Sequence, residues 1–147
     1  MSNSNKDPKT QVLHLMTISQ DLILKNLIDL PKDQALNIFL EGLADLAPIY
    51  LKLTSIDRIK KYLSYSGSTT EDLIAAISRA AENNLSYTAL IIYLATFIKT
   101  YIEQTPAENQ DKLADLLTKY QITIEDLEQI INEKNLILDT YIASQSS

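Results

Sequence analysis

"LSYTALIIYLATFIKTYI", residues 85–102, is the most apolar stretch of the chain, and the fold turns on how it is read. It approaches the roughly 20 apolar residues that a membrane-spanning helix needs. Lys99 stands inside it, however, and hydroxyl side chains recur along it. A helix that is apolar all round is equally the signature of one buried in the middle of a bundle, and we read it so. Ser86 is expected to cap its start.

The rest of the composition agrees with a bundle. The chain has 147 residues, of which 46% are hydrophobic, with only two glycines and four prolines. That length suits one domain burying roughly two thirds of its unfolded surface. Sheet proteins need many Gly- and Pro-rich turns, so the expected fold is all-α: a single compact bundle of six or seven helices joined by short loops. The expected domain is 1–147, with frayed ends at 1–6 and 143–147. Cysteine is absent, which removes disulfides, thiolate nucleophiles and cysteine-ligated metals. Residues 1–9 show no charged-then-apolar leader, and a cytoplasmic location is expected.

Upstream of the central helix, Asp7-Pro8 offers a cap and a first-turn proline. Val12, Leu15, Met16, Ser19, Leu22, Ile23 and Leu27 then recur at helical spacing, and Pro31 sets the limit of that helix. A second helix is predicted over 32–46, with Leu36, Phe39, Leu40 and Leu43 inward and Gly42 permitting close approach of a neighbour. Thr54 to Asp57 marks a third start, with Ile56, Ile59 and Leu63 on one face. "SYSGSTT", 64–70, is the clearest loop, and a helix over 69–84 follows it.

Downstream, "TPAE" at 105–108 combines a threonine cap, a proline and a glutamate three residues on, the strongest helix start in the chain. Leu113, Leu116, Leu117 and Tyr120 form the inner face beyond it. A last helix starts at Thr123 and is predicted to run to about Ile142 through Leu127, Ile130, Ile131, Leu138 and Tyr141. "TTEDLIAAI" at 69–77 echoes "TIEDLEQII" at 123–131, as two helix starts under the same capping rules would.

The net charge of −6 is unevenly placed. Residues 1–101 hold ten acids and ten Lys/Arg, whereas 102–147 hold nine acids and three lysines. The helix–joint–helix at 116–134 has the outline of a DNA-reading helix-turn-helix. Its second helix would show Glu125, Asp126, Glu128, Gln129, Asn132 and Glu133 outward, and such carboxylates repel phosphate backbones. Asp111, Asp115, Glu125, Asp126, Glu128 and Glu133 form instead a candidate acidic face for a basic partner. The one basic cluster, Lys52, Arg58, Lys60 and Lys61 with Tyr62 and Tyr65, is the candidate nucleic-acid patch. Helix-end lysines and core-edge tyrosines explain the same residues more simply.

Chemistry finds little purchase. His14, the only histidine, falls opposite the apolar stripe when stepped about 100° per residue from Val12, so it is expected to be exposed. One histidine and no cysteine do not make a structural zinc site. All-helical nucleotide pyrophosphatases hold magnesium through Glu-Glu-x-x-Glu followed by Glu-x-x-Asp. "EDLE" matches the first half only loosely, and the second does not follow. Ser66 and Ser68 flank Gly67 without a strand-to-helix elbow or a histidine base, and no phosphate-cradling loop is present. No catalytic residue, metal or cofactor is therefore assigned.

Eight tyrosines against two phenylalanines and no tryptophan suit a recognition surface, with Tyr50, Tyr62, Tyr65 and Tyr87 near helix ends. The same balance suits a core edge. Nineteen isoleucines against one valine suggest an AT-rich genome, and the composition resembles that of small helical proteins of viruses and mobile elements. The reading is a non-catalytic protein–protein interaction module, an inhibitor or adaptor docking its acidic C-terminal face on a basic, nucleic-acid-binding partner. The alternatives are a self-assembling structural subunit, such as a coat-like protein or a small subunit of a larger complex, and nucleic-acid binding through 52–65.

Overall fold

The computed structural model describes residues 8–31, 34–39, 41–42 and 84–146. Its elements are α1 (Pro8–Lys25), a helical stretch α2 at 34–39 and 41–42, α3 (Asn84–Gln104), a 3-10 turn (Ala107–Asn109), α4 (Gln110–Tyr120) and α5 (Ile124–Ser146). Among the described residues there is no strand, and there are five helices. The helices expected at 54–63 and 69–84, with the loop between them, lie outside the described residues. So does the cap at Asp7.

The apolar stretch is the central element. Leu90, Ile91, Leu94, Ala95 and Ile98 of α3 are fully buried, and α3 packs along both α1 and α5. Full burial of a large aliphatic side chain contributes roughly 1.5–3 kcal/mol, so this one helix supplies much of the driving force. Lys99 escapes the interior by pairing with Glu128 at 3.5 Å. No helix of the described residues is long and apolar enough to cross a membrane. The result is an all-α, compact helical domain.

The predicted stripe of α1 is buried in full, from Val12 to Leu27. The polar member, Ser19, donates its hydroxyl to the Leu15 carbonyl at 2.9 Å, which lets it sit in the core. The stripe is wider than the spacing implied, because Ile18 is also fully buried. Helix α1 ends at Lys25, six residues before Pro31. Asn26 (φ 48°) and Asp29 (φ 54°) take left-handed conformations there. Asn26 tolerates this because its side chain closes its own loop: Nδ2 donates to Leu30 O at 2.7 Å and Oδ1 accepts from Leu30 N–H at 3.2 Å.

Tyr101 then locks that reversal onto α3. Its hydroxyl donates to Leu22 O and accepts from Leu27 N–H, both at 2.7 Å, with the residue only 3% exposed. Above it on α3, Phe97 and Tyr93 follow at helical spacing and hold α2. Phe39 meets Phe97 edge-on at 5.0 Å and Tyr93 at 5.4 Å between ring centroids. Tyr93 also donates to Phe39 O at 2.5 Å. Gly42 does allow the close approach expected of it, since an added Cβ would fall within 2.7 Å of the Tyr93 ring.

Three helix ends differ from expectation. Helix α3 starts at Asn84, so Ser86 lies within the first turn instead of before it. At "TPAE" the helix does not start directly: a 3-10 turn intervenes and α4 begins at Gln110. The reason is that Thr105 is buried and donates back to Tyr101 O at 2.8 Å, capping the end of α3. Helix α5 continues to Ser146 rather than stopping near Ile142. No glycine or proline interrupts it, and Thr140 and Ser144 hydroxyls donate to the Leu136 and Tyr141 carbonyls.

Removing the Tyr101 hydroxyl leaves a buried Leu27 N–H with no acceptor. We expect Tyr101→Phe to lower unfolding stability by roughly 1–3 kcal/mol, read by urea denaturation with the slope unchanged. A loss below a few tenths of a kcal/mol would mean the hydroxyl is not what holds the reversal.

Candidate functional site

The corner between α4 and α5 is built as the sequence suggested. Gln121 (φ 55°) ends α4 in the left-handed region, where Gln121 N–H donates to Thr118 O and Ile122 N–H to Leu117 O, both at 3.1 Å. This pair is a Schellman motif, and the residue that follows it, Ile122, is buried. Thr123 and Asp126 then form a reciprocal capping box: Asp126 Oδ2 accepts from Thr123 N–H at 3.0 Å, and Thr123 Oγ1 from Asp126 N–H at 3.1 Å.

The six candidate acidic residues fall into different local roles. Asp111 and Asp115 are exposed one turn apart on α4. Glu125 is exposed in the first turn of α5, while Asp126 is committed to the cap. Glu128 carries the ion pair to Lys99, and Glu133 accepts from Gln129 Nε2 at 3.3 Å. Gln129 and Asn132 are exposed beside them. The outward surface of α5 thus presents carboxylates, as read from the spacing. The basic cluster Lys52, Arg58, Lys60, Lys61, Tyr62 and Tyr65 lies outside the described residues.

A polar cluster that the sequence did not disclose joins α1 to α4. Tyr120 donates its hydroxyl to Asp21 Oδ2 at 2.9 Å; Lys25 lies 3.2 Å from Oδ1 and Lys119 3.7 Å from Oδ2. Burial raises the Asp21 carboxyl, but the Tyr120 hydroxyl bond and the two lysines outweigh it and hold the group below its ordinary value. Burial, and then the adjacent Asp21 carboxylate, push the Tyr120 phenol up to about 12. The Lys119 ammonium also stands 5.1 Å from the Tyr120 ring centroid.

Two surface depressions lie beside this cluster. One, about 460 Å³, is lined by Asp21, Lys25, Leu27, Lys112, Asp115, Leu116 and Lys119. The other, about 130 Å³, lies among Gln11, His14, Tyr120, Asp126 and the apolar Leu15, Ile122 and Ile130. His14 is therefore not the exposed residue expected. It is half-buried and meets the ring of Tyr120, the last residue of α4, edge-on at 6.2 Å. Among the described residues no group of three His, Asp or Glu could hold a metal ion.

Of the described tyrosines, Tyr87, Tyr93, Tyr101 and Tyr120 pack on the core and Tyr141 is exposed. Tyr50, Tyr62 and Tyr65 lie outside the described residues. No protein-family model, no curated protein and no solved structure matches the chain.

The linked pair makes stability depend on pH at both ends. Asp21 is depressed when folded, so its contribution is present above the ordinary carboxylate value and is lost as pH falls through the lower folded one. Tyr120 is raised, so its contribution is present below the ordinary phenol value of about 10 and is lost as pH rises towards about 12. Tyr120→Phe is expected to flatten the alkaline limb of a stability–pH profile and to remove one high-titrating phenol from an ultraviolet titration. An unchanged alkaline limb would place the coupling elsewhere.

Proposed function

We propose that the chain is a non-catalytic protein–protein interaction module, an inhibitor or adaptor that docks an acidic C-terminal face on a basic, nucleic-acid-binding partner. The observation that carries this is the placement of charge. Residues 102–147 hold nine acids against three lysines, and Asp111, Asp115, Glu125, Glu128 and Glu133 stand exposed on α4 and α5. Carboxylates on packed helices keep their spacing, so they present a fixed field to an approaching cation. Such a field speeds encounter and selects partners more than it adds affinity. A row of carboxylates can also occupy a channel that otherwise takes phosphates.

The test is capture with the full chain from its native host at low salt. A basic protein should be retained, be displaced by nucleic acid, and be released as ionic strength approaches 1 M, where the Debye length shrinks to about 3 Å. Lysine substitution at Asp111, Asp115, Glu125 and Glu128 should abolish retention. No retained partner at low salt, or retention indifferent to salt, would defeat the reading.

A second reading, a self-assembling structural subunit, is favoured by one specific observation. On α5, Tyr141 and Ile142 fall on the same side as the fully buried Leu127 yet are 44% and 50% exposed. Apolar surface left open along a helix suits assembly. Light scattering over a range of concentrations should then show growth that Tyr141→Ser with Ile142→Ser suppresses. A strict monomer at high concentration would end this alternative.

A further inference from the structure

The smaller depression beside Tyr120 has a composition that selects a ligand. Its volume is about 130 Å³, well below the roughly 300–1,000 Å³ of sites for drug-sized molecules, and suited to one side chain. Gln11 is among the lining residues, and its Oε1 is buried with no hydrogen-bond partner. A buried amide oxygen left so is uncommon and calls for a donor. Asp126 is the only carboxylate among the described lining residues, and no described lysine or arginine lines the recess. Its Oδ2 serves the capping box, and Oδ1 carries no hydrogen bond among the described residues. Leu15, Ile122 and Ile130 supply apolar flanks, and the Tyr120 ring an aromatic wall.

The fields of the neighbouring groups can be weighed. Helix N-termini at Pro8 and Ile124 each contribute about half a positive charge. The two first-turn acids of α5, Glu125 and Asp126, offset both. Lys119 lies near the Tyr120 ring but is paired with Asp21. His14 adds a ring that already contacts Tyr120. What remains is a small, semi-apolar recess with acceptors and an aromatic wall.

We propose that this recess is the anchor pocket of the docking surface and takes one arginine side chain of the partner protein. This rests on the proposed acidic docking function and names the residues that would give it specificity. A guanidinium meets every feature of the recess. Its planar fork supplies several donors for Gln11 Oε1 and Asp126 Oδ1, its face stacks on Tyr120, and its methylene stem lies along the leucine and isoleucines. A lysine ammonium matches the charge but not the plane.

The experiment is an NMR titration of the full chain with N-acetyl-arginine amide, with N-acetyl-lysine amide and N-acetyl-norleucine amide as comparisons. The expected result is saturable shifts confined to amides around 11–15 and 120–130, with arginine binding more tightly than lysine and norleucine silent. Asp126→Asn retains a capping oxygen but loses the charge, and should weaken arginine binding about tenfold, as should Gln11→Leu, since charge-assisted bonds are the strong ones. Thermal melts confirm that each variant is folded, and Asp126→Asn decides the matter alone if Gln11→Leu does not fold. Equal response to norleucine, unchanged binding in Asp126→Asn, or no saturable shift overturns the proposal. A short polyarginine peptide on the same sample separates the two readings. If it binds with steep salt dependence while the recess stays silent, the pocket assignment falls and the acidic docking surface stands; if it too fails, both fall.

Discussion

A chain that turns back into a helical core must find partners for the backbone groups at the turn, because a buried N–H or C=O without one costs as much as a lost hydrogen bond. Here that constraint is met by one phenol. The Tyr101 hydroxyl takes the Leu27 N–H and gives its proton to Leu22 O, so a single group on α3 serves both sides of the reversal after α1. Asn109 extends the same lock, its Nδ2 donating to Leu27 O at 2.6 Å from the turn before α4. Once the reversal is placed, α2 returns under the Tyr93–Phe97–Tyr101 row, and the rest of the core closes around α3.

The charges separate into those that hold the fold and those that face outward. Asp21 belongs to the balanced part of the sequence and is consumed by Tyr120, Lys25 and Lys119. Asp126 starts a helix. Glu128 and Lys99 form an exposed pair of the kind that contributes little, about 0–1 kcal/mol, to stability. Most of the other C-terminal carboxylates stand exposed on α4 and α5. The Asp21–Tyr120 bond also orients the ring that walls the smaller depression.

Legibility followed the range of each interaction. The α4–α5 corner was readable because its determinants, Thr123 with Asp126 and the stop after Tyr120, act within a few residues. The buried faces of α1 and α4 were readable from spacing. Thr105 carried a capping signal but was recruited by Tyr101 O, a choice that depends on its burial against the end of α3. His14 was placed by rotation about α1 alone, and rotation cannot anticipate a second cover, which Tyr120 supplies. Tyr141 lies on the correct side of α5 and is exposed because burial needs an opposing surface, not only a position on a stripe.

The amino-acid sequence by itself determined an all-α domain, the inward faces of α1 and α4, the chemistry of several helix ends and the concentration of negative charge after residue 101. Each of these depends on neighbours within one or two turns, where spacing and side-chain type suffice. The tertiary structure alone decided which hydroxyl closes the first reversal, which carboxylate meets Tyr120, and where Gln11 and Asp126 come together around a small recess. Those partners stand 79 positions apart for Tyr101 and Leu22 and 99 for Tyr120 and Asp21. No local preference encodes such pairs; they are selected when the apolar faces pack and the polar groups trapped between them must find one another.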